Sequence, residues 1–500
     1  MKKFLLLLIF FASLLYSDER EWFVPLGMPP KAKPRRISGG EGFPPLPLPV
    51  TPLRRSERKR EPAAPKLFGK VIWGETATFK DEKGQLQKYA DWNLCPDDLP
   101  QLFRKARQCN LGMEYGSDPV DLTSFSGSPD ELPVLFFSGT RTIRLSKTHL
   151  DLLRSYVLRG GMLVCDSIAG SPYFYTSIKK TIAEAFPDFT LRTIPLDHPL
   201  YKIVYNATRI KVPKNSEIVS PLMEGIYIGC RIGVLISPYG LGCGWDNHEV
   251  PYIEKAQYYD VDSANRLGVN IIAYSISYAH VGRTEAKSEL LGTFDEKPAT
   301  DEFIFAQIKH NGSWNVHPGA ALSLLTKIRQ DTAIRVTLKR IAVEPGKDDL
   351  SSFSFLYLTG LDDFQWNDVE VHAMKNFFHA NGTLVINNGL GMQTFDRAVR
   401  RELQKVLPES KLVPVPPGHA LYSSFFNIKE MHYTPDASPW YKNQKPCLQG
   451  INIGGDLRVI YSPLDMEAHW QSCEHVLCRG YQMQSAIQIG FNIVVYSMTH

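Results

Sequence analysis

The residues of this chain equipped for chemistry gather in three places. Asp166 and Ser167 close an apolar run, and Thr140 and Arg141 follow Gly139 at the end of the run before it. A Ser at a strand-to-helix turn can serve as a nucleophile when an imidazole is at hand to take its proton, and an Arg and an Asp facing one crevice can hold a polar group by charge-assisted hydrogen bonds. Asp197-His198-Pro199 sets a carboxylate beside an imidazole. Trp245-Asp246-Asn247-His248-Glu249 combines a ring able to stack on a sugar with donors able to hold a metal. Each group also has a plainer reading. Cys-Asp-Ser-Ile-Ala is not the Gly-x-Ser-x-Gly elbow, and Cys165 falls before the turn, pointing into the sheet. Asp or His ahead of Pro is how a helix starts. The Trp245 stretch is equally a surface loop pinned by its ring.

The elements that must position these residues are spelled twice. VLFFSG from Val134, MLVCD from Met162, FLYLTG from Phe355 and TLVIN from Thr383 are unbroken apolar runs of strand length, as in strands buried on both faces. Shorter runs rich in β-branched and aromatic residues, KLFGKVIW and FIFAQIKH, open each unit. Helical spacing follows them from Asp97 to Leu111 and from Pro318 to Gln330. Leu150, Leu153, Val157 and Leu158 mark the face of a helix with Ser146 as N-cap and Gly160 as stop. Ile178, Ile182, Ala185 and Phe186 mark another, ended by Pro187. RLGVNIIAYSISYA and IQIGFNIVVYSMTH close the units as helices, and IYIGCRIGVLIS reads as an antiparallel hairpin at a sheet edge.

The two units correspond residue by residue. Gly139 answers Gly360, Gly161 answers Gly382, Pro187 answers Pro408 and His198 answers His419, each 221 positions on. Anchors this numerous at a nearly constant offset predict a duplication. Alternating β and α elements with doubly buried strands predict α/β units with mostly parallel sheets and helices on both faces. The expected divisions are 1–17 as signal peptide or signal anchor, 18–66 as a Pro-rich basic disordered tether, 67–283 and 303–500 as the two repeats, and 284–302 as a linker.

Composition narrows the function. Residues 1–66 hold thirteen Lys/Arg against six Asp/Glu, a net +7; the whole chain is +4, so residues 67–500 carry −3. The positive charge lies in the tether, where it can approach an anionic membrane surface or envelope polymer, and not in the folded part. A nucleic-acid partner is therefore not expected. Lys2-Lys3 followed by FLLLLIFFASLLY is the pattern of a secretory signal, too short for a comfortable span, and predicts a periplasmic or extracellular protein that is either released or anchored to the inner membrane. Export permits disulfides among the eight Cys; Cys95/Cys109, Cys230/Cys243 and Cys473/Cys478 are nearest in sequence. No Cys-x-x-C occurs, and no cofactor or metal is expected.

In the first unit VLFFSG, RGGMLVCDS, AGSPYF, PLDHPLY, LGCGWD and RLGVNIIAYSIS resemble the bacterial family known as domain of unknown function 4159. In the second, SWNVHP, FLYLTG, NGTLVINN, TFDRAVRRELQKVLP and GFNIVVYSMT do the same. The resemblance implies a flavodoxin-like, class I glutamine-amidotransferase-like three-layer sandwich in each unit, and an envelope setting, but no reaction. It also implies acidic residues after the second buried strand, where this chain has Asp166-Ser167 and then Asn387-Asn388, and a Gly-His after the first, where it has Gly139-Thr140 and Gly360-Leu361.

Because the repeats disagree wherever chemistry would need agreement, the expected function is non-enzymatic binding or scaffolding with an envelope protein or glycan. Thr140, Arg141, Asp166, Trp245, Asp246 and His248 are the expected contacts, on the strand-end rim of the first repeat. The alternatives are a hydrolase-like or amidotransferase-like enzyme using Asp166, Ser167 or His198 in that repeat, and a carbohydrate-binding module.

Overall fold

The structure is a computed structural model that describes residues 19–22, 65–80, 86–109, 115–212, 217–247, 256–285, 291–292, 302–471 and 475–500. The first sheet runs, in spatial order, Gly116–Val120, Lys66–Val71, Val134–Gly139, Met162–Ser167, Arg231–Ser237, Glu224–Ile228 and Arg192–Thr193. The first five strands are parallel and the last two antiparallel. In chain order the parallel five lie 2-1-3-4-5, the flavodoxin arrangement. The second sheet runs Leu291–Gly292, Arg340–Val343, Ala306–Ile308, Phe355–Gly360, Thr383–Asn388, Asp456–Ser462, Gln449–Ile453 and Val413–Pro414. It repeats the same order with one more edge strand. Among the described residues no strand of one repeat enters the sheet of the other.

The unbroken apolar runs have the cause expected of them. Every residue of Val134–Gly139, Met162–Ser167, Phe355–Gly360 and Thr383–Asn388 is buried. On one face of the first sheet, Phe68, Phe136 and Val164 pack against Leu99 and Leu102 of the Asp98–Gln108 helix and Leu267 and Ile271 of the Val261–Glu285 helix. On the other, Phe137, Leu163 and Ile236 meet Leu153 and Val157 of Lys147–Leu158 and Ile178 and Ile182 of Pro172–Ala185. Ser146 caps Lys147–Leu158 by accepting the His149 amide at 3.3 Å.

Both repeats turn sharply after the second buried strand. Ala169 (φ 56°) and its counterpart Leu390 (φ 52°) are held in the left-handed region before the next helix begins. Gly139 and Gly360 end the preceding strand against large rings: a Cβ at Gly139 would lie 2.2 Å from Trp73, and at Gly360 2.2 Å from Phe395. The apolar cluster under the Asp98–Gln108 helix is continuous with that under Asp368–His379 and Gln393–Val406, so the repeats share buried surface. No helix among the described residues is long and apolar enough to cross a membrane.

Candidate functional site

The strand-end rim of the first repeat is closed by the protein's own groups. Asp166 is fully buried; its Oδ1 accepts the Leu241 amide at 2.7 Å and its Oδ2 the Gly242 amide at 2.8 Å. Beside it, Lys70 on the first strand pairs with Asp98 at 2.7 Å, both side chains buried. Gly242 lets this happen, since a Cβ there would lie 3.0 Å from Asp166 Oδ2 and 3.3 Å from Asp98 Oδ2. Two buried acids thus share one buried cation. Burial, opposed by the two amides and reinforced by Asp98, pushes the Asp166 carboxyl up to about 7. Burial also raises Asp98, against the pull of Lys70.

Over these groups lies the short helix Glu19–Trp22, inside the stretch read from sequence as tether. Trp22 is buried among Leu94, Cys95, Ile168, Ala169 and Cys243, and Thr140 Oγ1 donates to its carbonyl at 2.9 Å. The other residues expected on this rim have structural partners as well. Arg141 binds Asp91 at 2.6 Å and Glu75 at 3.3 Å, while Asp166 is engaged by the Leu241 and Gly242 amides, so the shared Arg–Asp crevice is replaced by two separate sets of bonds. Trp245 is a core residue that donates Nε1–H to the Ala264 carbonyl at 2.7 Å, not a sugar platform. Asp246 is buried and accepts the Asp97 amide at 3.3 Å. His248 lies outside the described residues.

Ser167 is buried, and its Oγ has no hydrogen-bond partner, so no base stands beside it among the described residues. His198 starts the Pro199–Tyr201 turn, its Nδ1 accepting the Leu200 amide at 3.2 Å; burial lowers its pKa to about 3. His419 does the same for Leu421 in the second repeat at 3.1 Å. Cys165 is buried within the sheet core, as read from its position. None of the seven described Cys is in a disulfide, so neither Cys95/Cys109 nor Cys230/Cys243 is bridged; Cys473 lies outside the described residues.

The second repeat fills its strand end differently. Asn387 holds the register position of Asp166: Asp166 pairs with Ser138 and Ser237, Asn387 with Thr359 and Ser462. Its Oδ1 accepts the Met466 amide at 2.8 Å, and its amide donates to Asp465 and Glu467 at 3.3 and 3.2 Å. Asp465 Oδ2 accepts Leu390 N at 2.7 Å and lies 2.9 Å from His317 Nε2. Burial opposes ionisation of Asp465, yet His317 pulls it well below the usual carboxylate range. Glu467 is raised to about 7 by burial. Local sequence gives little sign of this cluster, because His317, Asp465 and Glu467 are scattered along the chain and answer Cys95, Gly240 and Gly242 in the first repeat. One trace was visible: a His, an Asp and a Glu stand where the twin has a Cys and two Gly.

Two further features lie between the repeats. An open cleft of ≈ 920 Å³ is lined by Arg192, Lys202, Asn206, Thr208, Gln393 and Arg397, among others. Its acids are engaged by the protein: Asp362 by Arg192 and Ser313, Asp363 by Arg401, and Asp197 by Gln393 and Thr394. Nearby, Cys230 of the first repeat reaches His475 of the second, 3.5 Å from Sγ to Nδ1. Among the described residues two trios of side chains are close enough to hold a metal ion, Cys230-His317-His475 and His317-Asp465-Glu467.

Fold and site together define a tandem α/β protein of flavodoxin strand order, with strand ends sealed by its own polar residues. A family model described as a domain of unknown function (DUF4159) matches the chain twice, over residues 83–276 and 304–498, and the chain belongs to that family. No curated protein matches it.

Proposed function

We propose that this is an exported envelope protein that works by binding, and that its ligand is an acidic glycan received in the cleft between the repeats. The observation that carries this reading is the closure of the first rim by Glu19–Trp22. With Asp166 bound by two amides and no base beside Ser167 among the described residues, the strand ends of the first repeat hold no assembled nucleophile–base pair. The cleft is the size of a ligand site, and its hydroxyl and amide lining suits a sugar. Since its acids are engaged internally, Lys202 and Arg397 give the ligand side a positive bias. Export rests on the Lys2-Lys3 and apolar start of the chain, and the basic Pro-rich segment would hold the protein near an anionic surface.

The test is titration of the full chain with uronic-acid-containing oligosaccharides and with neutral ones of equal length. Binding of the acidic series alone, weakened at least tenfold by Lys202→Glu with Arg397→Glu, is the expected result. Equal affinity for both series, or no effect of the charge reversal, refutes the cleft reading. An alkaline phosphatase fused after His500 that stays inactive refutes export.

A further inference from the structure

In the first repeat, the tight turn between Glu224–Ile228 and Arg231–Ser237 presents Cys230, with Gly229 at φ 61° beside it. This thiol faces the second repeat, where the His317 and His475 rings lie 5.0 Å apart at 62°. One donor atom from each of Cys230, His317 and His475 lies within 4.8 Å of the other two, and all three are buried.

We propose that Cys230, His317 and His475 bind a thiophilic divalent ion of the zinc class, which ties the two repeats together. Distance is the first support. A tetrahedral ion with sulfur at ~2.3 Å and nitrogen at ~2.0–2.1 Å holds the two donors roughly 3.6 Å apart. The observed Cys230–His475 separation of 3.5 Å matches that edge without movement. A thiol–imidazole hydrogen bond alone would account for that pair, but not for a second imidazole in the same cluster.

Orientation is the second support. His317 Nε2 lies 2.9 Å from Asp465 Oδ2. Donation to that carboxylate fixes the tautomer whose Nδ1 carries the lone pair, the carboxylate–histidine arrangement found behind metal-bound imidazoles.

The other trio is explained without a metal. Asp465 Oδ1 already accepts the Glu467 and Ala468 amides, Asp465 Oδ2 the Leu390 amide, and Glu467 Oε2 the Thr359 hydroxyl and Asn387 amide. Those oxygens are committed to the fold, and a thiolate with two imidazoles suits zinc better than carboxylates do. The thiol proton leaves for solvent when the ion binds, and three protein donors leave a fourth position for water. Neither repeat makes the site alone. The first has Cys95 where the second has His317, and the thiol comes from one copy and both imidazoles from the other.

The experiment uses the full chain, stripped with chelator and titrated with zinc or cobalt(II). One ion per chain and a near-ultraviolet thiolate-to-cobalt band are expected. Cys230→Ser should abolish the band, and His475→Gln should weaken zinc binding by more than the ~10–100-fold typical of losing an outer-shell partner. Cys109→Ser, whose thiol meets Tyr205 instead, should change neither. If the variants fail to fold, X-ray absorption of the zinc-loaded wild type decides, one sulfur at ~2.3 Å with nitrogens at ~2.0 Å being expected. No stoichiometric binding, ligation by oxygen and nitrogen alone, or a band that survives Cys230→Ser overturns the site.

Discussion

Asp197 of the first repeat accepts the backbone amide of Gln393 in the second at 2.7 Å. Its carboxylate also takes the Thr394 amide at 3.3 Å and the Thr394 hydroxyl at 3.0 Å. The helix Gln393–Val406 has no side-chain cap of its own, because Met392 occupies the N-cap position. A residue nearly two hundred positions upstream therefore satisfies the free N–H groups at that helix start. The same carboxylate lines the cleft between the repeats, so its bonds both cap a helix start and join the two repeats.

Removing the carboxylate should be costly in a way local sequence would not reveal. Asp197→Ala is expected to lower stability by about 1–2 kcal/mol, as loss of an N-cap does, and Asp197→Asn by less. Urea unfolding of the two variants, followed by far-ultraviolet circular dichroism, gives the comparison. Equal midpoints for wild type and Asp197→Ala would mean that the cross-repeat cap contributes nothing.

Trp245 and Trp470 occupy the same place in the two repeats and make the same bond, Nε1–H to the carbonyl of Ala264 and of Ala486, each at 2.7 Å. Trp245 also packs on Phe136, and Trp470 on Tyr357. Truncation to Ala should destabilise each repeat by roughly 3–5 kcal/mol, the cost of emptying a packed aromatic site. Trp→Phe should keep most of the packing and lose only the indole hydrogen bond to a carbonyl that stays within its helix, at about 0.5–1.5 kcal/mol. Guanidinium titrations of the four variants test this. A fully stable Trp245→Ala protein would return Trp245 to the list of ligand contacts.

The architecture was legible because apolar pattern and burial are tied directly. A strand covered on both faces is mostly apolar, and four such runs are central strands of the two sheets. The Gly116–Val120 edge strand was not legible, since GSDPV has no such face to bury. The rim was misread for a different reason. Arg141 and Asp166 do stand at neighbouring strand ends, but the fold also delivers Asp91 and the Leu241–Gly242 amides there, and these take both groups. Nor could local pattern place Trp22 over Thr140, more than a hundred residues away. Long-range hydrogen bonds leave little trace in one sequence, so the strand order could be read while the occupancy of the strand ends could not.

The buried acid of the first repeat should give the protein a measurable pH signature. The folded Asp166 carboxyl is raised to about 7, mainly by burial, whereas in the unfolded chain it titrates near ~3.9. Between those values the folded state binds the extra proton, so this contribution is fully present below about pH 4 and declines as pH rises to 7. At 1.36 kcal/mol per pKa unit the full swing is on the order of 4 kcal/mol. Asp166→Asn introduces the residue that the second repeat carries at position 387 and removes the titration. It also replaces one of two acceptors with a donor facing an amide, a cost of about 1–3 kcal/mol that does not vary with pH. The stability of wild type relative to the variant should therefore fall by several kcal/mol between pH 4.5 and 8, with most of the change complete by pH 7.5. Urea midpoints for both proteins at pH 4.5, 6 and 8 provide the measurement. Parallel curves across that range would show that Asp166 is ionised in the folded protein and that the Leu241 and Gly242 amides outweigh its burial.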